Sequence, residues 1–172
     1  MNVAMRTQTI HLHDDGRVPN HPSLPLLIYE DVFAAGSGTD DAIARFAENG
    51  WSGAWVNGIF DFHHYHARSH EVLANLGPTV TVQFGGAAGP TVDFRNGAVV
   101  LIPAGGGHCR KSSGAGLVII GAYPTGQEDW DLKRADNPGD YQRAKLEIER
   151  VALPAKDPVT GDVGPMLEHW HT

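Results

Sequence analysis

The sequence predicts an all-β fold, a sandwich or barrel of short strands, with one helix before it and a short one after it. The 172 residues include 21 glycines and 11 prolines, and so many turn-forming residues favour short strands over long helices. Between Trp51 and Tyr123, β-prone stretches alternate with turn residues. The length is typical of one domain with its own hydrophobic core.

The first helix is predicted over Thr39–Asn49. Thr39 has the residue type of an N-cap, two aspartates follow in the first turn where the helix dipole favours acids, and Gly50 is a natural stop. One helix face, which we expect to pack on the barrel, carries Ile43, Phe46 and Ala47. The preceding residues 1–38 look irregular, with a short apolar piece at Leu24–Tyr29.

The barrel strands are predicted from runs of β-prone residues that lie between turns. Glycine-rich or Asn-Gly turns occur at residues 85–90, 96–97 and 105–107. The five β-prone runs are Val72–Leu76, Thr79–Phe84, Thr91–Phe94, Ala98–Ile102 and Leu117–Tyr123. After them we predict a loop over residues 124–139, a second short helix over Tyr141–Arg150 and an extended tail from Pro154.

The composition excludes several classes of partner. Thirteen basic against twenty acidic residues give a formal charge of −7, and no block of Lys or Arg offers a surface for nucleic acid. The longest apolar runs are too short to cross a bilayer, and the first twenty residues lack the apolar stretch of a secretion signal. We therefore expect a cytoplasmic protein. The single cysteine, Cys109, permits no internal disulfide and suits a reducing compartment.

Histidines are concentrated in one short segment, and their spacing suggests a metal site. Four of the ten histidines fall within residues 63–70. His64 and His66 are two positions apart, so in a strand both side chains project to the same side and can reach one metal ion. Glu71 follows after a short turn, and His108 follows a glycine-rich turn that can bring it back to the same mouth.

Two spaced motifs in this sequence resemble those of the cupins. The first consists of Gly58, five residues, His64-Tyr65-His66, four residues and Glu71. The second consists of Gly97, five residues, Pro103-Ala104-Gly105, two residues and His108. The sequence departs from the usual pattern at two positions that are not ligands in it, Pro78 and Ser112. The flanking segments, among them Gly121-Ala122-Tyr123-Pro124, are similar to the YjlB-like subgroup of single-domain bacterial cupins.

The resemblance implies a double-stranded β-helix, the jelly-roll barrel of cupins, as a single domain over residues 1–172. Residues 1–50 would form an N-terminal arm and helix, residues 51–123 the barrel core, and residues 124–172 a C-terminal loop, helix and tail. The resemblance also implies one divalent metal ion inside the barrel mouth. Its four ligands would be His64, His66, Glu71 and His108.

Three neutral imidazoles and a carboxylate would leave a divalent ion with a net charge near +1, and an octahedral ion would keep about two positions open. These four metal ligands suit Fe, Mn, Ni, Co or Zn. The positive ion they hold would favour an anionic or enolisable small molecule that chelates it through two oxygens. Glu71 and Arg110 are the candidate catalytic residues. Glu71 would act as a base when its metal bond loosens, and Arg110 would either clamp a carboxylate or form a salt bridge at the rim.

One alternative concerns the acidic ligand. The family motif tolerates three or four residues before its acid, so His70 can replace Glu71 as the ligand or can orient one. The histidines outside the motifs have a simpler interpretation as packed or solvated side chains, and these are His11, His13, His63, His169 and His171.

Residues beside the motifs also have two interpretations. Cys109 follows a ligand in a strand, so it should face away from the metal as a buried spectator rather than act as a nucleophile. Three residues that follow the last barrel strand either close over the mouth or seal the core, namely Tyr123, Gln127 and Trp130.

Two classes of function remain open. The first is a metal-dependent enzyme that acts on a small organic molecule, with oxygenase-type chemistry ahead of isomerase or lyase chemistry. The second is a non-enzymatic domain that binds a small ligand or senses it through the same metal. Open coordination positions favour the enzyme, because a purely structural metal does not need them. We also expect a homodimer, since exposed sheet edges otherwise invite unwanted pairing.

Overall fold

In the computed structural model, which describes residues 5–171, the chain forms two antiparallel sheets that face each other. The strand order is β1-β2-β8-β5-β10-β3 in the six-stranded sheet and β11-β4-β9-β6-β7 in the five-stranded sheet. The first five strands are β1 (Thr7–Ile10), β2 (Leu26–Tyr29), β3 (Trp51–Asn57), β4 (His64–Tyr65) and β5 (Glu71–Asn75). The others are β6 (Val80–Phe84), β7 (Thr91–Phe94), β8 (Val99–Ile102), β9 (His108–Arg110), β10 (Ile119–Pro124) and β11 (Lys133–Arg134). The predicted all-β cupin class is confirmed.

The central strands of the six-stranded sheet are buried on both faces. Along β5, Leu73 points into the space between the sheets and Val72 points to the outer face. The outer face is covered by Phe46 of the first helix and by Met166 and Trp170 near the C-terminus. This double cover explains why β2, β5, β8 and β10 consist wholly of buried residues rather than alternating buried and exposed ones.

Helix α1 (Thr39–Glu48) forms as predicted, but its cap and its buried face differ from the prediction. The N-cap is Gly38 instead of Thr39, and Asp41 closes the turn by accepting the Gly38 N–H at 2.8 Å. Phe46 is buried as expected, whereas Ala47 is exposed and Ala42 takes its place against the sheet. The buried face of α1 therefore runs along Ala42 and Phe46 rather than along Phe46 and Ala47.

The N-terminal arm is more regular than predicted. Its apolar piece forms β2, which pairs with β8 inside the sheet. Strand β1 pairs with the outer side of β2 and keeps its side chains largely exposed. Because three of its four residues are exposed, β1 carries no hydrophobic alternation that would reveal it in the sequence.

The C-terminal segment also differs from the prediction. Helix α2 (Tyr141–Glu149) is confirmed, but the tail predicted as extended contains helix α3 (Pro165–Trp170). Buried Asp157 organises this tail, since its carboxylate accepts the Tyr29 hydroxyl at 2.7 Å and the Met166 N–H at 3.0 Å. The predicted loop over residues 124–139 contains the short strand β11. Over residues 5–171, none of the helices has the length and apolar character needed to cross a bilayer.

Candidate metal centre

The pairing of β4 with β9 brings two of the predicted ligands together. His64 and His108 are partners in this antiparallel ladder, with their ring centroids 4.0 Å apart. His66 follows β4 directly, and its ring lies 5.7 Å from that of His108. All three residues are buried, and one nitrogen from each ring lies within 4.8 Å of the others. This is a group that can hold a metal ion.

The second nitrogen of each ring fixes its orientation. The Nδ1–H groups of His64 and His108 donate to the carbonyls of Phe62 and Gly106, each at 3.0 Å. His66 Nδ1 donates in the same way to the carbonyl of Asp131. Because Nδ1 carries the proton in each ring, the lone pair of Nε2 is left free for a metal.

Glu71 places its carboxylate against two of these rings. It begins β5, and its Oε1 lies 3.2 Å from His108 Nε2 while its Oε2 lies 3.5 Å from His66 Nε2. Oε1 is buried and has no hydrogen-bond partner of acceptable geometry within residues 5–171. Burial opposes ionisation, but the neighbouring histidines outweigh it and lower the pKa of Glu71. A buried carboxylate oxygen aimed at imidazole nitrogens without a hydrogen bond fits a divalent cation between them.

The histidines differ in their electrostatic surroundings. Burial, reinforced by the nearby His108, lowers the pKa of His64 to about 2, so its ring is neutral, as a metal ligand must be. Burial also acts on His66, but the carboxylate of Glu71 outweighs it and raises the pKa of His66. In the absence of a metal, His66 is therefore the ring that most readily takes up a proton beside Glu71.

His70 lies outside the cluster. Its Nδ1 accepts the Ala104 N–H at 2.8 Å, and its ring lies 4.9 Å from that of Trp170. Burial lowers the pKa of His70 to about 3, so the ring is neutral and its proton sits on Nε2. This contact ties the start of β5 to the turn that precedes His108.

The cluster opens into a cavity of about 640 Å³. Its walls are mainly apolar, and the apolar lining includes Trp55, Ile59, Phe60, Leu73, Leu117 and Trp130. Arg110 also lines it, two residues beyond His108 in β9. The Arg110 Nε–H donates to the Ile59 carbonyl at 3.0 Å, a second N–H donates to the Ser112 carbonyl, and Asp61 lies 3.8 Å away. Both alternatives for Arg110 thus have support, because it faces the cavity and also has an acidic neighbour at the rim.

The three residues near the end of the barrel have separate positions. Tyr123 lies within β10 and lines the cavity with Trp130, their rings stacked at 6.0 Å. Gln127 seals the core instead, since its side chain accepts the His70 N–H at 3.0 Å and donates to the Ala152 carbonyl at 2.9 Å. Cys109 is buried and does not line the cavity, as predicted.

The other six histidines stay apart from the metal group. His21 and His63 are half-buried, and four others are exposed as expected, namely His11, His13, His169 and His171.

Sequence reasoning missed two residues that shape the site. Asp131 holds His66 through its carbonyl, and its carboxylate accepts the N–H groups of Ala67 and Arg68, each at 2.9 Å. Trp55 forms one cavity wall and donates its Nε1–H to the Tyr123 hydroxyl at 2.8 Å. Neither residue belongs to a spaced motif, and β3 shows no alternation of buried and exposed residues that would mark an inward face.

Comparison with known proteins gives one close relative. The chain is 41% identical over 164 residues to the uncharacterized protein YjlB of Bacillus subtilis (strain 168), and the match covers 95% of this chain and 96% of YjlB. No protein-family model matches the chain.

Solved structures match more remotely. Acireductone dioxygenase from Bacillus anthracis, with a cadmium ion in its active centre, is 15% identical with a TM-score of 0.37. That match covers 51% of this chain and 58% of the dioxygenase. The dTDP-6-deoxy-D-glucose-3,5-epimerase RmlC from Legionella pneumophila Philadelphia 1 is 12% identical with a TM-score of 0.39, over 70% of this chain and 72% of the epimerase.

Proposed function

The chain belongs to the cupin family that includes YjlB, and from this premise we propose that it is a metal-dependent protein acting on a small organic molecule. The metal ligands are His64, His66, Glu71 and His108. One observation carries the proposal: one nitrogen from each of three buried imidazoles lies within 4.8 Å of the others beside a cavity, and the buried carboxylate of Glu71 lies against two of these rings. A structural metal would need no such cavity beside it.

Each ligand arrives with its orientation already set. The carbonyls of Phe62, Gly106 and Asp131 fix the three rings, and such partners also raise the basicity of an imidazole ligand. A divalent ion bound here would supply Lewis acidity or a site for oxygen, and Fe, Mn, Ni, Co and Zn all suit imidazole and carboxylate ligands. The chain supplies the shape of the cavity, the orientation of the ligand and the exclusion of water.

Glu71 and Arg110 are the residues that would act on the bound molecule. The carboxylate of Glu71 borders the cavity, so it can accept a proton from a molecule held beside the metal. Arg110 has five N–H donors, of which two are used by the Ile59 and Ser112 carbonyls. The remaining donors can bind a carboxylate or another anionic oxygen.

Oxygenase-type chemistry is our first choice because the proposed ligands line a cavity with many apolar side chains, where a bound metal would be open to a small molecule. The test is to load the protein anaerobically with Fe(II), add oxygen with diketones, thiols or phenols, and follow oxygen uptake. We expect uptake with one of these classes in the Fe(II) protein and none in the Zn(II) protein or in His108→Ala. Absence of turnover with Fe, Mn, Ni or Co would count against an enzyme.

A non-enzymatic binding or sensor function is the second candidate, and one observation favours it. Among the cavity-lining residues the structure describes, the titratable groups other than the proposed ligands are Arg110 and Tyr123. Burial and the nearby Glu71 raise the pKa of Tyr123, so its hydroxyl keeps its proton near neutral pH. Thermal-shift screening against small acids and sugars separates the candidates, since a sensor would respond to a ligand that it leaves chemically unchanged. The predicted homodimer stays a prediction, which light scattering on the purified protein can check.

A further inference from the structure

Aromatic side chains flank the approach to the metal group on two sides. Phe60 meets His64 edge to face with ring centroids 5.2 Å apart, and Trp130 meets His66 in the same way, also at 5.2 Å. Both residues line the cavity. Both rings therefore border the part of the cavity that adjoins the metal group.

Both flanking rings are exposed although they are large and apolar. Phe60 is 47% exposed and Trp130 is 38% exposed. Val56, 50% exposed, lines the same cavity. Scattered apolar side chains on a surface need no explanation, but several around one cavity mark a binding site for an apolar group.

The flanking rings are held in place before any ligand arrives. Phe60 stacks on Phe62 at 4.8 Å, and the guanidinium of Arg134 covers Phe62 at 3.7 Å. On the other side Trp130 stacks on Tyr123, whose hydroxyl accepts the Trp55 Nε1–H. Rings fixed in this way lose little freedom when they contact a ligand, which favours a rigid, flat partner.

The base of the cavity favours negative charge. A divalent ion with the proposed ligands keeps a net charge near +1, and Arg110 adds a second positive charge. Arg110 and His108 are two positions apart in β9, which places them roughly 6–7 Å apart along the inner face of the strand. One small anion can therefore lie near both positive groups.

We propose that this cavity selects a planar aromatic molecule that carries an anionic oxygen substituent, with its ring between Phe60 and Trp130 and its oxygen toward the metal and Arg110. The position of the anionic oxygen rests on the proposed metal function. The preference for an aromatic ring rests on Phe60 and Trp130 alone. The cavity volume of about 640 Å³ lies within the range of pockets that hold small organic ligands.

The test compares two probes that carry the same hydroxyl and carboxylate substituents on an aromatic and on a saturated ring. Salicylate and its saturated counterpart, cis-2-hydroxycyclohexanecarboxylate, are titrated calorimetrically into the Zn(II)-loaded protein, since zinc undergoes no redox chemistry. We expect salicylate to bind about tenfold more tightly or better, because two rings contact its faces or edges. Equal affinity, or tighter binding of the saturated acid, would overturn the inference.

Variants of Phe60 and Trp130 test whether these two rings cause the preference for salicylate. Phe60→Leu and Trp130→Leu keep an apolar side chain but remove the ring, and both residues are exposed enough to leave folding intact. Each should reduce the salicylate preference several-fold with little change for the saturated acid. Leu146→Ala, at an exposed position of α2 away from the cavity, should change neither affinity. Equal weakening of both probes by the ring variants would contradict an aromatic site.

The outcome also separates this inference from the metal proposal. Protein that holds one equivalent of zinc but shows no aromatic preference refutes the inference alone. Protein that takes up no zinc, yet still prefers salicylate over its saturated counterpart, refutes the metal proposal and leaves the aromatic site standing.

Discussion

Asp131 holds His66 from a part of the chain 65 residues away. Its backbone carbonyl accepts the Nδ1–H of His66, while its carboxylate accepts the N–H groups of the two residues that follow His66. The carboxylate thus ties the end of β4 to the segment that leads into β11. The ring of His66 is oriented by this connection, since it lies beyond the two residues of β4.

Replacing Asp131 should therefore weaken metal binding without removing a ligand. We expect Asp131→Ala to reduce metal affinity by up to about tenfold, the low end of the usual cost of disturbing a group that orients a ligand. The substitution keeps the backbone carbonyl that accepts the His66 Nδ1–H and removes only the carboxylate that holds the following backbone. Competition with a chelator measures the change. The control is Asp129→Ala, at an exposed position nearby, which should bind metal as the wild type does. Wild-type affinity in Asp131→Ala would show that His66 keeps its orientation without the Asp131 carboxylate.

Glu71 and His70 can be separated by substitution. Glu71→Gln should lose most of its metal affinity, because a neutral amide replaces the buried carboxylate. His70→Ala should still bind metal, but it leaves the Ala104 N–H buried without its acceptor and should lower the free energy of unfolding by about 1–3 kcal/mol. Metal stoichiometry and urea denaturation measure the two effects. Metal retained in Glu71→Gln and lost in His70→Ala would assign the ligand to His70.

Gly121 makes room for the Trp55 wall of the cavity. A Cβ added at Gly121 would lie 2.2 Å from the Trp55 ring, so Gly121→Ala must displace that ring. We expect a loss of about 1–3 kcal/mol in stability from overpacking, weaker ligand binding and unchanged metal content. Gly139→Ala is the matched control, since an added Cβ there meets only the Asn137 side chain at 3.7 Å. Unaltered ligand binding in Gly121→Ala would show that Trp55 does not contribute to ligand binding.

The buried carboxylate of Asp157 should be a main determinant of stability. It accepts hydrogen bonds from the Tyr29 hydroxyl and from the backbone of Val159 and Met166. Tyr29→Phe removes one of these bonds and should cost about 1.5–3 kcal/mol, as is typical for a bond to a charged group. Asp157→Ala removes all of them and should cost more.

Urea denaturation followed by circular dichroism measures these losses. Asp162→Ala, which truncates an exposed carboxylate, should change stability by about 0.5 kcal/mol or less. If Asp157→Ala matched that control, the tail from Pro154 to Trp170 would be held by its apolar contacts and its other hydrogen bonds, such as that from Trp170 Nε1–H to the Pro25 carbonyl.

Strand bounds were predictable where turn signals enclose a β-prone run, whereas β3, β4 and β9, which carry much of the site, are not among the predicted runs. Thr91–Phe94 has the same bounds in the prediction and in the structure, since glycine-rich turns enclose it on both sides. The motif spacing also anticipated that His64 and His108 would meet, and the two residues are partners in the β4–β9 ladder.

The missed features depend on contacts between distant parts of the chain. Asp131 and Trp55 act through partners 65 and 68 residues away, and no local pattern encodes such contacts. Helix α3 is only six residues long, so its own hydrogen bonds cannot stabilise it. It forms because buried Asp157 accepts the N–H of Met166 and because Trp170 packs under the sheet. The N-cap of α1 is Gly38 rather than the predicted Thr39, because the Asp41 carboxylate accepts the Gly38 N–H.

The central claim is that three imidazoles and one carboxylate bind a single divalent ion. Anomalous diffraction at the zinc edge, from crystals grown with one equivalent of Zn(II), tests it most directly. We expect one strong peak about 2.0–2.2 Å from the Nε2 atoms of His64, His66 and His108 and from a carboxylate oxygen of Glu71. We expect no such peak in His108→Ala. A peak at the exposed His11 and His13 instead, or no peak at all, would show that these four residues do not form the metal site.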